Sequence, residues 1–193
     1  MGRPRETSDE DILERARVLF SERGHIVPTR EIARAAGISQ AVLYQRYPSK
    51  SALFFAAMAP AEPDVDAILG ERVLPIDKYL EGVVLRALSY FEDALPAVVQ
   101  LMAHPEFDAK VMGRLHERIL AGRLVEALAE RLRELRRDGL VGDVDGLNAA
   151  RTLVAALHSV AVFHVMSGAN SSKQARQLAP RVVSVLWNGL APR

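Results

Sequence analysis

The stretch from Thr29 to Lys50 constrains this chain more than any other, because a glycine and a proline cut its apolar helical spacing into two short pieces. The spacing predicts one helix over about Thr29–Ala36 that ends at Gly37. It predicts a second over about Gln40–Tyr47, capped by Ser39 and ended by Pro48. Two helices that short, joined by three or four residues, must cross at a steep angle. Gly37 can take the left-handed backbone of such a turn without a Cβ clash. Ala33 and Ala36 are small enough for close approach, Ile38 can plug the corner, and Ile32, Val42, Leu43 and Tyr47 supply apolar anchors.

The same period continues along the chain. Ile12, Leu13, Ala16, Leu19 and Phe20 predict a helix over about Asp9–Arg23, with Ser8 as N-cap and Gly24 as stop. Ser49 caps a helix over about Lys50–Ala59, Pro60 and Pro63 mark a break, and Val65–Leu74 reads as a short helix. Leu80, Val83, Val84, Ala87, Leu88 and Phe91 form a stripe on a helix that starts near Ile76 and that Pro96 kinks or ends, leaving Val98–Ala103 as a separate piece. Met112, Leu115, Ile119, Leu124, Leu128, Leu132 and Leu135 read as one long amphipathic helix, closed by Gly139. Two helices follow, over about Asp145–Ser167 and Ser172–Leu190. No stretch alternates as a strand does, and no internal repeat is visible. The expectation is an all-α chain of about nine helices, divided into residues 1–47 and 48–193.

Composition excludes several classes of function. There is no cysteine, so disulfides and thiolate metal sites are excluded and a reducing cytoplasm is expected. The first ten residues lack the apolar core of a secretory signal. The run Leu153–Met166 is shorter than the roughly 20 residues a membrane span needs. His158 and His164 also interrupt it, so it reads as a buried helix. No Gly-x-Ser-x-Gly elbow, Gly-rich phosphate loop or His-x-x-x-His pair is present. His158 and His164 fall on opposite sides of their helix. No catalytic residue, cofactor or metal is expected, and an enzyme would need residues brought together only by folding. Residues 1–50 carry nine Lys/Arg against seven Asp/Glu, a weakly basic head that permits nucleic-acid binding without proving it.

On the second short helix the exposed positions are Gln40, Ala41, Tyr44, Gln45 and Arg46. A helix fits the major groove of DNA, where Gln and Arg read adenine and guanine edges bidentately. Thr29 and Ser39 stand at helix N-termini, where hydroxyl and free N–H groups suit phosphate oxygens, and Lys50 can add a phosphate contact. The competing reading is a helical hairpin inside a larger core, with Tyr44 and Arg46 as ordinary surface residues.

Ile12-Leu13 with Ala16, Leu19-Phe20, Glu22-Arg23-Gly24, Thr29–Ala33, Ala36–Ser39, Leu43-Tyr44 and Tyr47–Lys50 with Leu53 stand in an order and spacing that resembles the tetracycline-repressor (TetR) family of bacterial transcriptional regulators. The resemblance covers residues 9 to 55. It implies an N-terminal three-helix DNA-binding domain and a C-terminal helical domain for effector binding and dimerisation. Carried over position by position, it makes Tyr44 and Lys50 phosphate contacts, Gln40, Ala41, Gln45 and Arg46 groove-facing, and Thr29 and Arg30 the opening of the motif beside the DNA backbone. Two departures are visible. The loop before Thr29 is one residue short, with Pro28 where Ser or Thr is common, and Arg46 stands where His is frequent. The Arg is expected to strengthen a guanine or phosphate contact. Gly2-Arg3-Pro4-Arg5 resembles an AT-hook core, so Arg3 and Arg5 read either as a minor-groove arm or as a solvated terminus.

No Asp or Glu follows Asp145, and the Leu153–Met166 helix is apolar nearly all round. Such a helix is buried on more than one side. One side faces its own core and the other a second copy, or the whole completes a monomer. The resemblance implies a four-helix dimer interface from the last two helices, with Leu157, Val160, Ala161, Val183, Leu186 and Trp187 as candidates. Two reading helices about 34 Å apart would then meet a palindromic operator. The resemblance also implies a small-molecule pocket in the middle helices, with Tyr90, Met102, His116, Phe163 and His164 as candidates, each of which also reads as ordinary core. The expected function is a homodimeric repressor that leaves its operator when an effector shifts the helix over residues 50–59. An activator, a helical carrier or enzyme with a vestigial head, and a protein-interaction scaffold are the rivals.

Overall fold

The computed structural model describes residues 7–116, 122–168 and 171–190, with the side chains of 114–116, 171–176 and 187–190 left out of the description. Among these residues ten α-helices follow one another, with a single turn of 3-10 helix at Gly24–Ile26 and no strand. The chain forms two compact units, one of Met1–Pro60 with Ala97–Ala109, the other of Ala61–Pro96 with Lys110–Arg193.

In the first unit every helix has a local reason to start where it does. Helix α1 (Asp9–Arg23) begins with a reciprocal cap: Asp11 N–H donates to Ser8 Oγ at 3.1 Å, and Ser8 N–H donates to Asp11 Oδ2 at 3.1 Å. Helix α2 (Thr29–Ala35) starts after Pro28, which offers no side-chain cap. It closes in a Schellman turn: Ile38 N–H donates to Ala33 O at 3.0 Å and Gly37 N–H to Arg34 O at 3.1 Å. Gly37 has φ of 68° there, a backbone that costs any other L residue strain. Helix α3 (Gln40–Arg46) and helix α4 (Lys50–Met58) are capped by Ser39 Oγ and Ser49 Oγ, which accept from Val42 N and Ala52 N.

Ile12, Ala16 and Phe20 of α1 meet Ile32 and Ala33 of α2, Leu43 of α3, and Leu53 and Phe54 of α4 in one core, each at most 2% exposed. Phe20 and Phe54 pack edge to face at 4.9 Å. Arg17 closes the far end of α4: its Nε donates to Ala57 O at 2.7 Å and its guanidinium to Ala59 O at 3.3 Å. A cation is well placed at a helix C-terminus. The segment 97–109 adds His104, which stacks on Phe54 at 4.8 Å and meets Phe55 at 4.8 Å and His25 at 5.1 Å. Its Nδ1 accepts the Glu106 backbone N–H at 3.1 Å, so the ring is the neutral tautomer protonated at Nε2.

The second unit is built from longer helices. These are α5 (Val65–Leu69), the part of α6 (Ile76–Met102) up to Pro96, α7 (Ala109–His116) from Lys110, α8 (Arg123–Arg137), α9 (Gly146–Ser167) and α10 (Ser171–Leu190). The α6 stripe is buried as its spacing predicts. Three boundaries differ from the sequence reading. Pro96 does not end α6, which runs on to Met102, because Leu95 and Leu101 on either side are buried deeply enough to offset one lost backbone hydrogen bond. The stripe from Met112 to Leu135 is two helices, with Gly122 at the N-cap of α8. Helix α5 stops at Gly70, leaving Val73 and Leu74 exposed.

Helices α8 and α9 pack closely along each other. Leu124, Leu128, Leu132 and Leu135 supply one side, and Ala150, Leu153, Val154 and Leu157 the other. Gly146 belongs to this packing: a Cβ there would lie 3.1 Å from Ala129 O. Gly139, with φ of 70°, repeats the Schellman stop at the end of α8, where Leu140 N–H donates to Leu135 O at 2.9 Å.

Candidate nucleic-acid interface

Helix α3 buries Leu43 and leaves Gln40, Ala41, Tyr44 and Gln45 exposed on one face, Tyr44 at 42%. Ser39, Arg30 and Arg34 are exposed beside it, and Lys50 is half-buried at the start of α4. The face is polar, and it is organised by one residue of the neighbouring helix. Thr29 Oγ1 accepts from Gln40 Nε2 at 2.9 Å and lies 3.1 Å from Tyr44 Oη. Thr29 itself is 7% exposed.

Two of the expected contact residues have partners of their own within the chain. Arg46 Nη1 donates to Thr7 O at 2.7 Å and to Asp9 Oδ1 at 3.0 Å. The acidic first turn of α1 supplies a nearer partner than solvent does, and Arg46 ties the end of α3 to the start of α1. Thr29 is nearly buried, and its hydroxyl is shared by two α3 side chains. Arg3 and Arg5 lie outside the described residues.

Residues 12–57 match the family model described as bacterial regulatory proteins, tetR family. These residues are thus similar to the tetR-family module. Solved structures match over almost the whole chain. A protein from Mesorhizobium loti MAFF303099, assigned to the TetR family of transcriptional regulators, aligns with a TM-score of 0.78 and 21% identity over 95% of this chain and 96% of its own. GusR of Salmonella enterica aligns with a TM-score of 0.63 and 24% identity over 93% and 94%. The fatty acid degradation regulator FadR from Bacillus halodurans aligns with a TM-score of 0.66 and 19% identity over 95% and 100%. No curated protein matches the sequence. The chain thus has the fold of these structures, and its residues 12–57 resemble the tetR-family module.

In the second unit a cavity of about 390 Å³ is lined by Leu80 and Val84 of α6, Leu128 and Leu132 of α8, Leu153 of α9 and Val183 of α10, with Asp145, Asn148 and Thr152 as its polar members. Both oxygens of Asp145 are engaged in capping α9 and holding Asn148. Tyr90, Met102, Phe163 and His164 are not among the cavity's lining residues. Met102 and Phe163 are 52% and 74% exposed. Tyr90 donates to Ala61 O at 3.0 Å. His164 Nδ1 is 2.6 Å from Glu92 Oε1, a partly buried pair. The side chain of His116 is outside the description. Tyr90 and His164 have local partners, Met102 and Phe163 face solvent, and the cavity is walled mainly by aliphatic residues of four helices.

The candidate dimer residues are also redistributed. Leu157, Ala161 and Val183 are at most 3% exposed inside their own protomer, whereas Val160 and Leu186 are half-buried; the Trp187 side chain is outside the description. The outward apolar residues of α9 and α10 are Phe163, Met166 and Val185 at 74%, 79% and 76% exposure, with Ala155 and Ala156 exposed on α9. Helix α9 is long and apolar enough, by length and composition, to cross a membrane, and 28% of its most apolar window is buried within the protomer.

Proposed function

We propose that this chain is a homodimeric, sequence-specific repressor of the cytoplasm that a small-molecule effector releases from its operator. The observation that carries the reading is the α3 face, where Gln40, Ala41, Tyr44 and Gln45 project together from a helix short enough to enter a major groove. Residues 1–47 act as the reading head and 48–193 as the sensing and dimerising part. The names of solved relatives, a regulator of fatty acid degradation among them, support ligand-responsive control of metabolism as the setting.

Phe163 and Met166, three apart on α9, and Val185 on α10 are exposed apolar side chains that a protein partner would cover. A second copy is the partner proposed, since two-fold pairing doubles the number of bases read. The apolar cavity lies within the size range of small-molecule sites, and its aliphatic walls suit an apolar effector. Such a ligand relieves repression by favouring the state that cannot bind DNA.

A gel-shift titration against the DNA upstream of the chain's own gene tests this. Sequence-selective binding that weakens steeply between low and moderate salt is expected. Tyr44→Ala with Gln45→Ala should abolish it. Binding that is absent, or indifferent to sequence and salt, would sink the proposal.

A further inference from the structure

The hydrogen bonds around Thr29 carry more than a docking face. We infer that Gln40, Thr29 and Tyr44 form a relay that couples phosphate engagement to base reading and makes Gln40 the residue that selects adenine. This rests on the DNA-binding reading above and adds to it a specific base and a specific support.

The argument is one of donor counting. A hydroxyl has one hydrogen to give and two lone pairs to receive with, and a glutamine amide has two N–H groups and one carbonyl. Thr29 Oγ1 receives an N–H from Gln40 at 2.9 Å. Its own hydrogen is then available for Tyr44 Oη at 3.1 Å. In that arrangement Tyr44 keeps its hydrogen for a phosphate oxygen, and every group points the same way: Gln40 to Thr29, Thr29 to Tyr44, Tyr44 to the DNA backbone. The opposite arrangement, with Tyr44 donating to Thr29, leaves Tyr44 no hydrogen for phosphate. Contact with the backbone therefore selects the first arrangement, and each bond in a chain of that kind polarises the next.

The consequence falls on Gln40. One N–H is held by Thr29, which leaves the other N–H and Oε1 of this exposed residue for a base edge. That pair is complementary to adenine N7 and N6–H in the major groove. Gln45 is exposed on the same helix and has no comparable tether among the bonds described. Thr29 is a positioning residue here, since it is buried and reaches the DNA through its neighbours.

Selection of bound duplexes from a random library, using the full chain, tests the relay, with single-base affinity profiles measured on the selected site. The wild type should prefer adenine at one position of each half-site by roughly tenfold to a hundredfold. Gln40→Ala should flatten that position. Thr29→Val, which keeps the buried shape and removes the hydroxyl, should flatten the same position, and Thr29→Ser should restore it. Tyr44→Phe, an exposed change with little bearing on folding, should weaken all sequences and also reduce the adenine preference; it decides the matter if Thr29→Val fails to fold. A wild type that selects no sequence sinks the DNA-binding reading itself. A wild type that selects a site, with Gln40→Ala, Thr29→Val or Tyr44→Phe leaving the adenine preference unchanged, overturns the relay alone.

Discussion

The two units of this chain are stabilised in different ways. The first is made of helices of seven to fifteen residues, each fixed at its ends by serine caps or glycine stops and joined by side-chain hydrogen bonds to a neighbouring helix. The second is made mostly of longer helices held by aliphatic area, with Pro96 and Pro180 inside helices and a cavity left between stripes. Short helices gain little from propensity and depend on tertiary packing and caps. A unit that must present a rigid polar surface is served by directional bonds. A unit that must admit a ligand is served by non-directional packing, which tolerates repacking at modest cost. The contrast predicts that damage in the first unit appears at once in both stability and reading, whereas damage on the outer surface of the second leaves the protomer intact.

Leu43→Ala should be the most severe single change. Leu43 is 1% exposed and anchors α3 to the core formed by Phe20, Ile32 and Leu53. Truncating a buried leucine costs about 2–5 kcal/mol, cavity included. Thermal and denaturant unfolding should show that loss, and operator binding should fall with it. A Leu43→Ala protein with near-wild-type stability would mean that α3 is held by its polar bonds and not by its one apolar anchor.

Much of this contrast was legible in the sequence, and for a local reason. Ser8, Ser39, Ser49, Gly24 and Gly37 act within three or four residues of themselves, so their positions fix α1, α2, α3 and α4 to within a residue. The partners of Arg46 and Thr29 were not legible: Asp9 lies 37 residues from Arg46, and Gln40 lies 11 from Thr29. In the second unit the stripes of α6 and α8 located the core correctly. They could not say which flank of α9 faces inward, because that helix is apolar on nearly every side and burial is decided by α8. The cavity is lined from four helices at once, a juxtaposition that no spacing along one helix encodes.

A smaller effect should come from acid. Burial, with the neighbouring His25 and Lys50, pushes His104 below the ordinary histidine value of 6.5, and Glu106 opposes this. The unfolded chain therefore binds a proton more readily than the folded one across the window just below 6.5. Stability is full above that value and is lost as pH falls through it toward the lower folded pKa. Protonation would also remove the acceptor for Glu106 N–H and set a charge against Phe54 and Phe55. Unfolding midpoints of wild type and His104→Asn between pH 5 and 8 should converge as the pH falls. A wild-type midpoint that stays flat across that range would show that the ring titrates as it does in water.

The smallest effect on the protomer should come from Phe163→Glu, and that is its value. Phe163 is 74% exposed, beyond the reach of the core that Leu157 and Ala161 fill one face away. Surface substitutions of this kind usually change stability by no more than about 0.5 kcal/mol. If α9 and α10 pair with a second copy, however, the same glutamate is buried twice across a two-fold interface, facing apolar surface. Sedimentation should then show a dimer for the wild type and a folded monomer for Phe163→Glu, with the helical signal and unfolding midpoint of the variant close to those of dilute wild type. Operator affinity should drop, because a lone reading head makes half the contacts. A variant that remains dimeric at the same concentration would move the pairing surface away from Phe163, Met166 and Val185. A variant that loses its fold would show instead that this ring belongs to the protomer's own core, and the contrast between the two units would not hold.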